Sequence, residues 1–239
     1  MNSYGKYYRE KMYPLQDGVM RIINKLNTPF FLTGGTALSR HYFNHRYSDD
    51  LDLFVNACDK YQELLDIVLI MLSDAKHEIN FQIEKESLKK YENYTQLFII
   101  NPSLPELRLK IDFVNDIAEH YGDFEYHKQL GRIDGWQNIL SNKITAIFRF
   151  EPKDIADIWV IAKNKNFDWK IIIKEAKTKE AGVEPEVIFN ILKSFPIEQL
   201  NLVKWVLMPN FNSVQDDIGR MADDILYGRE NSIRSGTRS

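Results

Sequence analysis

The sequence predicts an α+β protein: a mixed sheet with helices in the amino-terminal half, followed by helices alone. Three observations point there. Polar and apolar residues alternate over 50–55, 95–100 and 106–114, the two-residue period of half-buried strands. Apolar residues at helical spacing mark 15–26 and 59–74 around the first of these. After about Asp134 the strand pattern stops, and helical stretches follow one another, punctuated by Pro, Gly and Asn.

In chain order, Leu15, Val19, Ile22, Ile23 and Leu26 give an amphipathic helix ahead of the first strand. Pro29-Phe30-Phe31-Leu32 reads as a short buried strand that stops at Gly34-Gly35, and residues 36–44 read as the next helix. A strand over 50–55 leads to a helix over 59–74 so apolar, with Leu64, Leu65, Ile67, Val68, Leu69 and Leu72, that it is expected to be buried. Strands are expected over 79–84, 95–100 and 106–114, with 85–90 as a charged connector or hairpin turn. Helices are expected over 135–148, 153–163, 169–179, 184–194, 197–206 and 213–227. The implied domains are 1–133 and 134–228, followed by a mobile tail over 229–239.

The chemistry concentrates in Thr33-Gly34-Gly35-Thr36-Ala37-Leu38 and, one helix later, Arg46-Tyr47-Ser48-Asp49-Asp50-Leu51-Asp52-Leu53. Glycines at a strand-to-helix turn let the backbone approach an anion, the unpaired N–H groups of the helix start attract it, and Thr36 adds a hydroxyl. Asp50 and Asp52 project from one side of their strand while Leu51, Leu53 and Val55 face the other. Their backbones lie roughly 6–7 Å apart, close enough to share cations about 3.5–4 Å apart in a two-metal phosphoryl-transfer site. Such oxygen ligands suit Mg2+ or Mn2+ rather than zinc. Each motif alone has an ordinary reading, a simple turn or a solvated strand edge, but their order and shared orientation carry the case. Alternation sends Asp49 to the opposite face, so it is not counted as a ligand.

Asp112, flanked by Ile111 and Phe113, either completes a carboxylate triad and helps remove a proton from the attacking hydroxyl, or points outward from an edge strand. Arg108 and Lys110 share its parity, which makes that face wet or polyanion-lined. Lys143 lies mid-helix, ordinarily a solvated position, and Asp154 and Asp157 share a helix face, Asp157 deeper beside Ala156 and Ile158. His41 and His45 stand four apart without a third nearby ligand and read as exposed histidines. Lys163, Lys165, Lys170, Lys174, Lys177 and Lys179, with Trp169, form either an RNA-backbone patch or a solvated helix face.

With 31 basic and 34 acidic residues the net charge is -3, so polyanion binding by bulk electrostatics is excluded. The single cysteine, Cys58, excludes an internal disulfide and a thiolate metal cluster. The amino end, residues 1–8, shows neither the apolar core nor the small-residue cleavage site of a secretory signal, no apolar run approaches membrane-spanning length, and a cytoplasmic location is expected.

The Gly-Gly-Thr-Ala-Leu turn, the Arg-x-Ser-x-Asp-x-Asp-Leu strand and a later segment carrying Lys143 and Lys153-Asp154-x-x-Asp157 together resemble the AbiEii/AbiGii-type nucleotidyltransferase family. The resemblance spans roughly residues 15–165. It implies a DNA polymerase β-like core and a toxin of bacterial toxin–antitoxin or phage-abortive systems. It also implies that Gly34, Gly35 and Thr36 hold the phosphates of a nucleoside triphosphate, that Asp50 and Asp52 ligate magnesium, and that Lys143 neutralises triphosphate oxygens. Asp157 matches the family's late acidic position, while Arg46 and Ser48 lead into and brace the carboxylate strand on the nucleotide side. Asp112 is added from polymerase β-like logic as a third metal-binding and catalytic acid. Some members transfer nucleotides to the 3′ end of tRNA and are neutralised by a neighbouring antitoxin protein, so an RNA acceptor and an antitoxin are the expected partners. A nucleotide-binding regulatory module and a small-molecule nucleotidyltransferase of the aminoglycoside-modifying kind are the alternatives.

Overall fold

Phe31, Leu32 and Thr33 are buried along their whole length, and the strand they form lies inside the sheet with a neighbour on either side. In the computed structural model, which describes residues 3–75 and 80–234, the chain reaches it through α1 (Ser3–Tyr7), a π-helical turn (Tyr8–Met12) and α2 (Tyr13–Lys25). Pro14 follows the π-helical turn within one continuous helical run, and Leu15, Val19, Ile22 and Ile23 bury one face. After β1 (Phe31–Thr33) come α3 (Gly34–Ala37), which begins directly at the glycines, and a π-helical continuation over Leu38–Phe43.

Strand β2 (Leu51–Asn56) buries Leu51, Leu53 and Val55 on one face, as the alternation predicts. Helix α4 (Tyr61–Asp74) departs from expectation: it buries Tyr61, Leu65, Val68 and Leu72, yet leaves Ile67 and Ile70 47% and 60% exposed. One helix packing on one sheet can cover only one stripe, however apolar the remainder. Then follow β3 (Gln82–Ile83), β4 (Lys89–Lys90), β5 (Tyr94–Asn101), β6 (Leu104–Asp116), β7 (Glu125–His127) and β8 (Gly131–Ile133). Of the strand expected over 79–84, Ile79 lies outside the described residues. Strands β4, β7 and β8 went unanticipated because two or three residues are too few to display a period.

The sheet order is β3-β5-β6-β2-β1-β8-β7, with β4 pairing on β5. β2 runs parallel to β6 and antiparallel to β1, and β1 runs parallel to β8, so the sheet is mixed. The α+β class read from the sequence holds.

By internal contacts the chain divides into two units. One contains the chain up to Tyr42, Tyr47–Ala118 and Asp123–Asp134, hence the entire sheet; the other contains Phe43–Arg46, Glu119–Gly122 and the chain from Gly135 onward. The second unit is helical: α5 (Trp136–Ala146), α6 (Pro152–Asn164), α7 (Trp169–Lys179), α8 (Pro185–Ser194) and α9 (Phe211–Leu226). Pro152 and Pro185 open their helices, and Asp168 and Asn210 cap α7 and α9 by accepting backbone N–H bonds. Trp169, counted with the surface lysines above, is instead fully buried. The helix expected over 197–206 is a short 3-10 segment, Ile197–Leu202, after which buried Val203 and Trp205 alternate on extended chain and Arg46 bridges to Trp205. Much of the expected mobile tail is tied down as well: the Asn231 side chain donates to the carbonyls of Ala162 and Lys165, and Ile233 is buried. Residues 235–239 of that tail lie outside the described residues.

Candidate active site

Gly34 adopts φ +68°, a left-handed conformation that side chains disfavour. A Cβ there would lie 3.3 Å from the Asp52 carboxyl carbon and closer still to one of its oxygens. The Asp52 carboxylate therefore rests directly on the glycine turn, and only glycine leaves room for it. Pairing sets this up, since β1 and β2 place Thr33 opposite Asp52. On its other side, parallel pairing places Asp52 opposite Asp112 of β6. Register partners share a face of a sheet and sit about 4.8 Å apart. Asp112 thus stands beside Asp52 on an interior strand, not outward on an edge.

The Lys110 ammonium reports how these acids converge. Its Nζ lies 2.7 Å from Asp112 Oδ2. Burial opposes its charge, but the hydrogen bond and charge of Asp112, together with the charges of Asp50 and Asp52, outweigh it and raise its pKa. The other Asp112 oxygen accepts the Tyr94 hydroxyl at 3.0 Å. Burial, then the Asp112 and Asp52 charges, push that phenol upward, so it remains a donor at neutral pH. Asp50, Asp52, Asp112, Lys110 and Tyr94 form one polar cluster over the glycine turn.

The residues leading into it act as bracing. The Thr36 hydroxyl, expected to face phosphate, is buried and donates to the Asp50 carbonyl. Gln16 donates to the Ser48 carbonyl at 3.1 Å, and the Asp49 carboxylate takes the hydroxyl of buried Tyr8, away from the cluster. Gly34 and Gly35 themselves open the helical run, the position at which backbone N–H groups lack an intrahelical partner.

Arg46, Lys143 and Asp157 meet in the helical unit. Asp157 is fully buried and accepts Arg46 at both oxygens, 2.7 and 2.8 Å, with Lys143 at 2.8 Å and His45 Nε2 also at 2.8 Å. Lys143 binds Asp154 at 2.6 Å, and Arg149 binds the other oxygen of Asp154. Burial would raise the Asp157 pKa, but Arg46 and Lys143 hold it well below the carboxylate range; the two acids likewise outweigh the burial of Lys143 and raise its pKa. The Arg46 guanidinium, expected on the nucleotide side, is thus engaged with Asp157. His45, read as an exposed histidine, is buried against the same acid.

The model of the family described as nucleotidyl transferase AbiEii toxin, type IV TA system, matches residues 21–234. The chain belongs to the AbiEii family. Membership makes it a nucleotidyltransferase of a toxin–antitoxin system. No curated relative matches the sequence. Among solved structures, JHP933 from Helicobacter pylori superposes with TM-score 0.58 at 18% identity, covering 95% of this chain and 94% of its own. The nucleotidyltransferase toxin MenT4 from Mycobacterium tuberculosis superposes with TM-score 0.53 at 13% identity, covering 92% and 91%. At these identities the likeness is one of fold.

Within this AbiEii chain, sequence reasoning set Lys110 on the Asp112 face without counting it among the site residues, and it passed over Tyr94. Their signal was parity: Lys110 shares a face with Asp112, and Tyr94 and Gln96 lie on the same side of β5, with Gln96 opposite Asp112. Among the described residues no three His, Cys, Asp or Glu side chains form a ready metal cage, and no helix is long and apolar enough to cross a membrane.

Proposed function

We propose that the cluster over the glycine turn binds a nucleoside triphosphate with Mg2+ or Mn2+ and transfers its nucleoside monophosphate to an RNA hydroxyl. The acceptor we favour is the 3′ end of tRNA, with the protein acting in the cytoplasm under restraint by a cognate antitoxin. The observation that carries this reading is the Asp52 carboxylate lying on positive-φ Gly34 with Asp112 beside it on the next strand.

The donor set fits a hard cation. Asp50, Asp52 and Asp112 offer only oxygen, and Mg2+ is ordinarily held by one or two carboxylates plus substrate phosphates, not by an all-protein cage. When bound, such cations supply charge neutralisation for the attacking and leaving oxygens. The chain's own residues do the rest. The N–H groups of Gly34 and Gly35 take phosphate oxygens, fixing the α-phosphorus for in-line attack. The acceptor hydroxyl oxygen forms a bond to that phosphorus, the α–β bridging P–O bond breaks, and pyrophosphate leaves with the bonding pair. Asp112 takes the hydroxyl proton, and Tyr94, donating to its other oxygen, orients it.

Incubation of the protein with total RNA and each α-labelled triphosphate tests this, with either cation. Labelled RNA is expected, reduced on the order of 100-fold or more in Asp52→Asn, the scale for removing a preorganised electrostatic group. Absence of label with all four triphosphates would overturn transfer to RNA, and label confined to small molecules would move the acceptor to that class.

A further inference from the structure

On the side of the acid cluster away from the glycine turn stands an exposed aromatic pair. Tyr91 opens the turn between β4 and β5, and its ring lies against that of Tyr94 with centroids 6.2 Å apart and planes 12° from parallel. Tyr94 donates its hydroxyl to Asp112 at 3.0 Å, so the pair is anchored to a carboxylate of the site. The turn is held from two directions: the Tyr91 N–H donates to the Tyr94 carbonyl at 2.8 Å, and the Gln62 amide of α4 donates to the carbonyls of Tyr91 and Glu92 at 2.9 and 2.7 Å. Tyr91 is nevertheless 61% exposed, so the ring face turned away from Tyr94 is open to solvent. A large aromatic surface is thus held in a fixed place and left uncovered.

The sheet order says what that surface faces. Strands β1, β2, β6 and β5 lie side by side and carry, in succession, the glycine turn, Asp52, Asp112 and Tyr94, so the turn and Tyr94 stand three strand spacings, roughly 14 Å, apart. In-line transfer puts the attacking and leaving oxygens on opposite sides of the α-phosphorus. With the phosphate tail on the glycine turn, pyrophosphate leaves toward β1, and the acceptor hydroxyl reaches Asp112 from the side of β5. The group that carries this hydroxyl therefore comes in beside Tyr94 and Tyr91. An aromatic face favours another flat ring, and the exposed Glu92 next to it disfavours a phosphate.

We propose that the outer face of Tyr91 stacks the terminal nucleobase of the acceptor RNA and so sets its 3′ hydroxyl at Asp112. The proposal rests on the RNA-acceptor reading above and names the residue that seats the acceptor, a positioning residue that takes no part in proton or phosphoryl transfer. Stacking of unpaired bases on aromatic side chains is the usual way single-stranded RNA is held, and it tolerates any base because each has a π-face. Tyr91 then fixes where the chain ends and not which base ends it.

The test measures, for the full-length protein and its Tyr91→Ala and Tyr91→Phe variants, the KM values for RNA and for triphosphate in the labelling reaction. Alongside it, fluorescence anisotropy gives the affinity for a 5′-dye-labelled oligoribonucleotide and for the same oligonucleotide lacking its 3′-terminal base. Tyr91→Ala should weaken oligonucleotide binding and raise the KM for RNA about tenfold, the scale of one stacked base lost, with the KM for triphosphate unchanged. Tyr91→Phe keeps the ring and should recover most of that loss. Removing the terminal base should cost the unmodified protein a similar factor and cost Tyr91→Ala nothing more. Unchanged RNA binding in Tyr91→Ala overturns the proposal, as does an equal loss with the abasic oligonucleotide. A loss that falls on the KM for triphosphate overturns it too, by giving the ring to the incoming nucleotide. RNA labelling whose KM for RNA is untouched by Tyr91→Ala removes the platform and leaves the transferase; oligonucleotide binding that needs both Tyr91 and the terminal base, without RNA labelling, does the reverse.

Discussion

A methyl group at position 34 would act twice. It would force a side chain into the left-handed region, costing about 1–2 kcal/mol, and it would displace the Asp52 carboxylate that lies on that carbon. Gly34→Ala is therefore expected to lower the urea midpoint and also to cut nucleotide transfer at least tenfold, a joint loss that a surface glycine would not show. Lys110 makes the opposite kind of prediction. Its ammonium holds Asp112 and feels Asp50 and Asp52, so it competes with any cation those acids bind. Lys110→Met should lower the Mg2+ concentration for half-maximal transfer by up to about fivefold, the equivalent of the ~1 kcal/mol contributed by a partly exposed ion pair. A higher requirement for Mg2+ would mean that Lys110 serves the substrate instead.

Helix α6 carries the acids that organise the second unit. Lys143 from α5 bridges Asp154 and Asp157, and Arg46 approaches Asp157 from a distant part of the chain. Losing one member of a buried pair strands the other, which typically costs ~3–5 kcal/mol. Asp157→Asn should lose about that much in urea denaturation, because Arg46 and Lys143 remain buried beside a neutral amide. At α4 the sequence suggested burial all round; the exposed Ile67 and Ile70 follow from a helix having one face against its neighbours.

For the molecule as a whole, the buried charges dictate the acid response. Both His45 and Asp157 have folded pKa values below their ordinary ones. The unfolded chain therefore binds these protons first, and acid favours unfolding. The His45 contribution is complete above about pH 6.5 and is lost below it; that of Asp157 begins to fall near pH 4, where the free carboxylate titrates. Calorimetry from pH 8 to pH 3 should show a melting temperature that declines in two stages, and His45→Gln should shrink the upper stage without touching the lower, the remainder coming from His127, whose pKa burial also lowers. A single stage in both proteins would show that His45 does not contribute.

Local pattern was enough to read the strand alternation, the glycine turn, the Asp50–Asp52 couplet and the change to helices after Asp134, because each depends on residues close in sequence. Alternation tells which side of its own strand a residue occupies, and so it left Asp112 open between an edge and a triad. Parallel pairing of β2 with β6 excluded the edge by putting Asp112 on an interior strand beside Asp52. The engagement of Arg46 with Asp157, across 111 residues, and the burial of His45 had no local signal at all. Periodicity orients a side chain relative to its own backbone; what stands opposite is decided only when distant segments pack, and there the cost of leaving a buried charge unpaired selects its partner.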